Sequence, residues 1–334
     1  MTRAVTKGER NLVVLIAAFA AVYIFWGSTY LAIKYAIQTL PPFLMAGTRF
    51  AVAGAILFLI ARFSKDYEPP KAVHWRTSFV VGTFLLLGGN GAVVVAQQYI
   101  SSSMTALLVA TEPLWVVLLS WVWLKSGRPN WRVMAGLLVG FGGVWLLISG
   151  RDPAGFGGEA PGQLFGYAAV IGGALSWATG SIYGLKAPTP RSSLLTAGMQ
   201  MLSGSAALFV VGLVCGEWST FDPAAVTSQS VVALGYLLIF GSLLGFTAYS
   251  WLLKNAQPSM VATYAYVNPV IAVFLGWSIA GESLTAPMLI GAFIIVVSVA
   301  LITAKKGEVS ENEDVEIDRS GTPNSSCRPV SATA

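Results

Sequence analysis

Glu112 is a carboxylate in the middle of an apolar stretch where a charged residue is costly to place. It is the only acidic or basic residue between positions 77 and 124, a length that allows about two membrane crossings of roughly 20 residues each. A carboxylate inside a bilayer normally faces protein or a water-filled cavity, where it can pair with a cation or carry a proton. The sequence therefore predicts a functional site inside a membrane protein.

Arg49 is the candidate cation for that acid. It lies about seven residues into the second apolar stretch, ~10 Å deep at 1.5 Å per residue, and Glu112 lies ~15 Å deep by the same measure. If the two residues pair, the ion pair is architectural. If they do not, desolvation favours a protonated Glu112, and Arg49 is available to repel cations or capture a carboxylate. Near the outer membrane surface, we expect Lys34 to snorkel and Glu282 to be a surface or capping residue.

A second group of candidates consists of aromatic and amide side chains within the apolar stretches. Asn and Gln are costly in lipid and should face the protein interior, and buried Tyr and Trp need partners for their polar atoms. We expect this group to line a cavity for an amphipathic solute, although an interfacial aromatic belt is an alternative for it. Its members are Trp26, Tyr30, Asn90, Gln97, Trp115, Trp177, Tyr183, Tyr249, Tyr264, Tyr266 and Asn268.

The composition is typical of a protein embedded in a lipid bilayer. Hydrophobic residues make up 55% of the chain and charged residues 10%, against about 25% charged residues in soluble domains. The net charge of +5 is scattered, so we expect no nucleic-acid binding. One histidine and two cysteines predict no metal site. No glycine-rich loop leads into a Lys-Ser or Lys-Thr pair, so we expect no nucleotide or other cofactor.

Ten apolar stretches, with prolines near their ends, predict an all-α polytopic protein with ten transmembrane helices. The predicted spans are 11–33, 42–62, 76–97, 102–124, 132–150, 163–185, 192–215, 231–252, 259–280 and 285–304. They divide the chain into an N-terminal arm at 1–10, five-helix units at 11–150 and 163–304, and an acidic tail at 305–334. The tail is too polar to fold alone, and we expect it to be disordered.

The two five-helix units are an internal repeat. A shift of 151 positions aligns Trp26 with Trp177, and a shift of 156 aligns Pro113 with Pro269 and Trp121 with Trp277. Because five helices are an odd number, the second copy must enter the membrane from the opposite face. The sequence therefore predicts an inverted-topology repeat, which is typical of secondary transporters with a site between the halves.

Five segments carry a family resemblance. They are Phe25-Trp-Gly-Ser-Thr-Tyr30, Ala46-Gly-Thr-Arg-Phe50, Thr111-Glu-Pro-Leu114, Tyr264-Ala-Tyr-Val-Asn-Pro269 and Gly281-Glu282. Over residues 11–304 the chain resembles the EamA-type drug/metabolite transporters. The resemblance implies a ten-helix secondary transporter of the bacterial inner membrane, usually an exporter of amino acids or other small metabolites. The acidic tail is not part of the family pattern.

Two proline kinks are candidate gates. Pro113 follows Glu112 and Pro269 follows Asn268, and each proline removes a backbone donor and kinks its helix. The residue before the proline is titratable in the first repeat and neutral in the second, which fits a single proton site per monomer. A facilitator, an exchanger or a channel without proton coupling is the alternative function. An intramembrane enzyme is disfavoured because the spans contain no histidine and one deep acid.

The distribution of basic residues predicts that both termini are cytoplasmic. Loops on that side would carry 17 of the 20 Lys and Arg residues, and such residues concentrate on the cytoplasmic side of membrane proteins. We expect a fluorescent reporter fused to the C-terminus to be active in intact cells. A fused enzyme that works only outside the cytoplasm should stay inactive, and activity of that second fusion would overturn the orientation.

Overall fold

The computed structural model describes residues 7–64, 67–124, 131–149, 160–256, 258–261 and 263–298, and every regular element among them is helical. Of the predicted arm at 1–10, only 7–10 is described, as the start of the first helix. The predicted disordered tail at 305–334 lies outside the described residues. The prediction of an all-α polytopic membrane protein is confirmed, and the domain boundaries stay a prediction.

The main helices are numbered α1 to α10 in chain order, and several consist of consecutive segments. Their bounds are α1 Lys7–Ala36; α2 Pro42–Arg62; α3 Ala72–Gly82, Thr83–Gly91 and Ala92–Ala96; α4 Ser102–Val109 and Glu112–Leu124; α5 Trp131–Ser149; α6 Ala160–Lys186; α7 Ser193–Val214; α8 Ser228–Tyr236, Leu237–Leu244 and Gly245–Asn255; α9 Pro258–Val261 and Tyr264–Ser278; α10 Ala286–Ser298. A short helix, Glu217–Thr220, and a 3₁₀ turn, Pro223–Ala225, connect α7 to α8.

Seven helices in the described part of the chain, α1 to α4 and α6 to α8, are long and apolar enough to cross a membrane. The helices α5, α9 and α10 are also apolar but shorter over their described residues. Large apolar side chains such as Leu138, Val214 and Phe293 are exposed on the outside of the bundle, which is where a bilayer would cover them. Ten spans and the sides of the termini remain predictions.

The second helices of the two predicted repeats, α2 and α7, pack closely at the centre of the fold. A Cβ added at Gly54 would lie 3.0 Å from the Gly198 carbonyl oxygen, and one at Gly198 would lie 3.1 Å from the Gly54 oxygen. Phe209 fills the space over Gly47. Small residues let membrane helices approach at this distance, so the glycines are what allow α2 and α7 to touch along their backbones.

Two carboxylates connect the repeats near the starts of these central helices. Glu217, which follows α7, accepts hydrogen bonds from the amides of Phe43 and Leu44 at 3.1 and 2.9 Å, at the start of α2. Glu68, which follows α2, accepts one from the Arg191 amide at 3.0 Å, just before α7. The first amides of a helix lack intrahelical partners and attract negative charge. Glu217 of the second repeat therefore caps the start of α2, whereas Glu68 bonds the loop before α7.

Both α3 and α8 contain a π-helical segment at corresponding positions in the two repeats, Thr83–Gly91 and Leu237–Leu244. Side chains from the first helix of a repeat bind carbonyls in these segments. Ser176 donates to the Phe84 oxygen at 2.8 Å, and Trp26 donates to the Gly241 oxygen at 3.1 Å. π-Helical segments often mark functional sites, and both of these border the central cavity described below.

Glu282 lies in the connection between α9 and α10 and holds the start of α4. It forms an ion pair of 2.9 Å with Lys34 at the end of α1. It also accepts hydrogen bonds from the backbone amides and hydroxyls of Ser102 and Ser103. Lys34 and Glu282 are only 9% and 2% exposed. The expectation that Lys34 snorkels is therefore wrong, and Glu282 is a buried cap that joins the two repeats.

The charge of Glu282 makes the stability of this junction depend on pH. Burial acts to raise the pKa of Glu282, but hydrogen bonds from Ser103, Ser102 and Lys34 outweigh it and hold the pKa below its ordinary value of 4.5. A carboxyl whose pKa is lower in the folded state stabilises the fold above its unfolded pKa. That stabilisation is lost as the pH falls below 4.5 and through the folded pKa.

We expect Glu282→Gln to lower the free energy of unfolding by about 3 kcal/mol, the lower end for breaking a buried ion pair. Thermal unfolding in detergent at several pH values measures it. The difference from the wild type should be complete at neutral pH and shrink below pH 4.5. Asp222→Asn is the matched control, because Asp222 is an exposed acid and should have little effect. Equal stability of Glu282→Gln and the wild type at neutral pH would contradict the capping role.

Candidate functional site

A cavity of about 120 Å³ lies between helices of both predicted repeats. Its walls come from α1 to α4 of the first repeat and α6, α8 and α9 of the second. One water needs about 10–15 Å³, so several water-sized groups fit. Eight of the predicted site residues line it: Trp26, Tyr30, Arg49, Asn90, Glu112, Trp177, Tyr264 and Asn268.

Glu112 reaches the cavity from the point where α4 is interrupted. The first segment ends at Val109, and the second begins at Glu112. The Thr111 hydroxyl donates to the Leu108 oxygen across the interruption at 2.7 Å. Among the residues that the structure describes, none forms a salt bridge or a hydrogen bond with the Glu112 carboxylate. The acid is therefore available to a proton or to a solute.

Arg49 also lines the cavity, but it does not pair with Glu112. Its side chain is 4% exposed, and its Nε donates to the Ser242 hydroxyl oxygen at 2.8 Å. Within the described ranges, no carboxylate lies within 4.0 Å of the guanidinium. Of the two alternatives that the sequence left open, the buried ion pair between Arg49 and Glu112 is thus not formed, because Arg49 is directed towards α8 of the other repeat.

Two asparagines supply acceptors without partners. Asn90 on α3 and Asn268 on α9 both line the cavity, and the Oδ1 atom of each is buried with no hydrogen-bond donor. A buried polar atom left unsatisfied costs about 1–3 kcal/mol. A bound solute with N–H or O–H groups would remove this cost, so the two amides point to a ligand rich in donors.

Trp26 organises the aromatic wall of the cavity. Its ring lies edge-on to those of Tyr264 and Phe246, with centroids 5.3 and 5.7 Å apart. Tyr249 packs at 5.1 Å from Trp26 and 5.8 Å from Tyr264. Tyr249 was predicted to line the cavity, but it is not among the lining residues and instead packs against the rings of Trp26 and Tyr264. The hydrogen bond from Trp26 to Gly241 fixes the indole against α8.

Three other predicted residues whose side chains are described, Gln97, Trp115 and Tyr183, are not among those that line the cavity. Gln97 is buried at the end of α3, and both of its amide atoms lack partners. Trp115 packs edge-on against Phe141 of α5 with centroids 5.1 Å apart, because α4 turns it away from the cavity. Tyr183 lies near the end of α6, beyond the lining residues. The side chain of Tyr266 lies outside the described part of the structure.

The two predicted proline kinks differ in this structure. Pro113 is the second residue of the second α4 segment, Glu112–Leu124, and lies directly after the interruption. Pro269 lies inside the continuous segment Tyr264–Ser278 of α9. In α9 a turn residue, Thr263, directly precedes that segment. The corresponding helices of the two repeats therefore have different shapes beside the same cavity.

Comparisons with known proteins give the family. Residues 12–149 and residues 164–304 each match the model of the EamA-like transporter family. The chain belongs to the EamA-like transporter family. Two matches in one chain are the two repeats, and the family resemblance seen in the sequence is confirmed. This EamA protein is a membrane transporter, so it binds small-molecule substrates and lies in a lipid bilayer.

Individual relatives agree with the family. The uncharacterized inner membrane transporter YedA of Escherichia coli K12 is 34% identical over 299 residues, which cover 89% of this chain and 93% of YedA. The uncharacterized transporter YvbV of Bacillus subtilis is 27% identical over 287 residues, 86% of this chain and 90% of YvbV. These names and the apolar helices support a multi-pass protein of the inner membrane.

A solved crystal structure shares the fold. It is 23% identical to this EamA protein, and the match covers 89% of this chain and 98% of the other, with a TM-score of 0.59. At this level of identity the likeness shows the architecture and says nothing about the solute. The site must therefore be argued from the residues of this chain.

Sequence reasoning missed several residues of the cavity. Phe246 could have been found, because it is the partner of Asn90 under the shift of 156 positions. Gly241 gave no such signal, and neither did Ser242, which lies next to the cavity wall and not in it, since their importance depends on how Arg49 crosses between the repeats. The other lining residues are Thr29, Ile33, Phe50, Leu86, Gly89, Val93, Val109, Gly173 and Ala174.

We expect Gly245→Ala to destabilise the protein, because a Cβ at this position would lie 2.5 Å from Nε1 of Trp26. Inserting a methyl group into a packed site costs about 1–3 kcal/mol. Gly235→Ala is the control in the same helix, since a Cβ there meets nothing within 4 Å, and it should be neutral or stabilising by up to about 1 kcal/mol. Thermal unfolding of both variants measures the difference, and equal values would contradict the packing of Trp26.

Proposed function

We propose that this EamA protein is a secondary active transporter that exports amino acids or related small metabolites. The observation that carries the proposal is the cavity between the repeats. It contains an acid, Glu112, a cation, Arg49, and the amide oxygens of Asn90 and Asn268. Among the described residues, neither charge has an oppositely charged partner, and neither Oδ1 atom has a hydrogen-bond donor. Unmatched polar groups in a membrane interior are costly and are typical of solute pathways.

The chemistry of the cavity suits a small zwitterion. The Glu112 carboxylate and the oxygens of Asn90 and Asn268 can accept hydrogen bonds from an ammonium group. The rings of Trp26 and Trp177 offer faces to an apolar or aromatic side chain, and they can also stabilise a cation by its attraction to the ring. A solute with an amine and a modest apolar part would therefore satisfy this region better than water does.

Alternating access is the mechanism that we propose for movement of the solute. In inverted-repeat transporters, one half rocks against the other around a central site. The π-helical segments Thr83–Gly91 and Leu237–Leu244 border the cavity, and α4 and α9 are interrupted beside it. We propose Pro113 and Pro269 as the positions where these helices bend. We propose that the working unit is a monomer with repeats at 11–150 and 163–304.

Glu112 is the proposed proton site. It is the acid that lines the cavity, and its partner under the repeat shift is the neutral Asn268. Binding of a proton from one side and its release to the other would couple solute export to the proton gradient. The absence of a paired cation in the described structure supports this role, because a carboxyl held by a salt bridge would not exchange a proton readily.

Reconstitution in proteoliposomes tests the proposal. Liposomes are loaded with a panel of amino acids and small metabolites, and release is followed with and without an imposed pH gradient. Saturable release of a subset that responds to the gradient supports the secondary active transporter. Saturable release that ignores the gradient favours a facilitator or exchanger, and unsaturable flux favours a channel. No protein-dependent release of any solute would overturn the proposed substrate class.

We expect Glu112→Gln to abolish the response of transport to the pH gradient while solute exchange persists, since the amide keeps the size of the side chain but binds no proton. Counterflow of labelled solute measures the exchange. Glu68→Gln is the control, because Glu68 is outside the predicted spans and bonds a loop amide. A Glu112→Gln protein that still accumulates solute against its gradient when protons drive it would exclude Glu112 as the coupling site.

A further inference from the structure

We infer that Arg49 is the anion-binding residue of the cavity, that it takes the carboxylate of the solute, and that Gly241 and Ser242 position it. The inference rests on the proposed function and deepens it, because it requires a carboxylate-bearing solute. The class of ligand is a small organic monoanion or zwitterion. Arg49 and Glu112 would pair with the two charges of a zwitterion without a cofactor or a second protein chain.

The guanidinium of Arg49 packs against α8 of the opposite repeat. Its Nε donates to the Ser242 hydroxyl at 2.8 Å. The neighbouring residue, Gly241, leaves the space for the Nη2 atom, since a Cβ at Gly241 would lie 2.9 Å from it. Both residues belong to the π-helical segment Leu237–Leu244 of α8. Gly241 and Ser242, two consecutive residues of α8, therefore hold the Arg49 side chain in one orientation.

The contacts with Gly241 and Ser242 leave the remaining N–H donors of the guanidinium for a ligand. An arginine carries five N–H donors, and the hydrogen bond to Ser242 uses the one on Nε. In the part of the chain that the structure describes, Arg49 has no acidic partner, although it is 4% exposed and lines the cavity. A planar guanidinium binds a carboxylate through two parallel hydrogen bonds. The geometry of the side chain thus matches a carboxylate that enters from the cavity.

The charges around the cavity favour a carboxylate over a phosphate. A dianion would meet the Glu112 carboxylate and the unpaired oxygens of Asn90 and Asn268, which repel further negative charge. The partner of Arg49 under the shift of 151 positions is Gln200, which is neutral. The cavity therefore has one cationic end, which would fix how a zwitterion is oriented, with its carboxylate at Arg49 and its ammonium group towards Glu112.

Ligand-induced thermal stabilisation of the purified full chain tests this assignment without transport. The probes are matched pairs in which only the charge at the carboxyl end differs: leucine and leucinamide, phenylalanine and phenylalaninamide, glutamate and isoglutamine. We expect at least one acid to bind the wild-type protein about tenfold or more tightly than its amide, a ratio that corresponds to about 1.4 kcal/mol. In Arg49→Gln the acid and the amide of that pair should bind with similar affinity.

Further variants separate binding from a purely structural tie between the repeats. Arg49→Lys keeps the charge but not the two parallel donors, and should keep a reduced preference for the acid. Ser242→Ala keeps Arg49 but removes its positioning bond, and should also lower the preference. If Arg49 only joined the repeats, these variants would lose stability while the ratio of acid to amide affinity stayed the same. Arg49→Lys provides the test if Arg49→Gln does not fold.

Two results would overturn the inference. One is equal binding of acids and amides to the wild-type protein, and the other is the absence of stabilisation by every acid in the panel. Neither would by itself overturn the proposed function, since gradient-dependent release of uncharged or cationic solutes from proteoliposomes would leave the transporter intact and Arg49 structural. Failure of release for all solutes, with a preserved preference for acids in binding, would instead point to the transport proposal as the error.

Discussion

The cost of placing charge away from water is the constraint on which this structure depends. A buried charge needs a partner or an aqueous cavity, and the protein uses both solutions. Glu282 is matched by Lys34 and by the backbone and hydroxyl donors of Ser102 and Ser103. Arg49, in contrast, borders the cavity without an acidic partner in the described residues. The first arrangement stabilises the fold, and the second leaves binding energy for a solute.

The internal repeat shows where the two halves have been specialised. Architecture is shared: α2 and α7 cross through Gly54 and Gly198, and both repeats carry a π-helical segment beside the cavity. The groups that would contact a solute are not shared. Glu112 corresponds to Asn268, and Arg49 to Gln200. The packing is therefore similar in both repeats, whereas the two charged residues that line the cavity, Glu112 and Arg49, both belong to the first repeat. A symmetric pair of acids would repel each other in a cavity of this size.

The sequence predicts the fold well because membrane spans and repeats are encoded locally, in apolar length and in residues such as Pro113 that match across the shift. It also finds eight of the residues that line the candidate cavity, since a polar residue within a span must face protein or water. It fails where the answer depends on rotation or crossing of helices. Trp115 and Gln97 share spans with lining residues but face elsewhere, and the contacts of Arg49 and Glu282 join residues about 190 and 250 positions from them in the chain.

The interruption of α4 connects the stable junction to the cavity. The first segment, Ser102–Val109, is fixed to the connection after α9 by the Glu282 network, and its buried side chains pack against both repeats. The second segment begins at Glu112 and carries the acid. If the whole helix were continuous, any movement of Glu112 would strain the Glu282 network. Because Ala110 and Thr111 separate the two segments, the proposed rocking could move Glu112 while the charged junction stays intact. The costly charges of Lys34 and Glu282 would then stay paired throughout the proposed cycle.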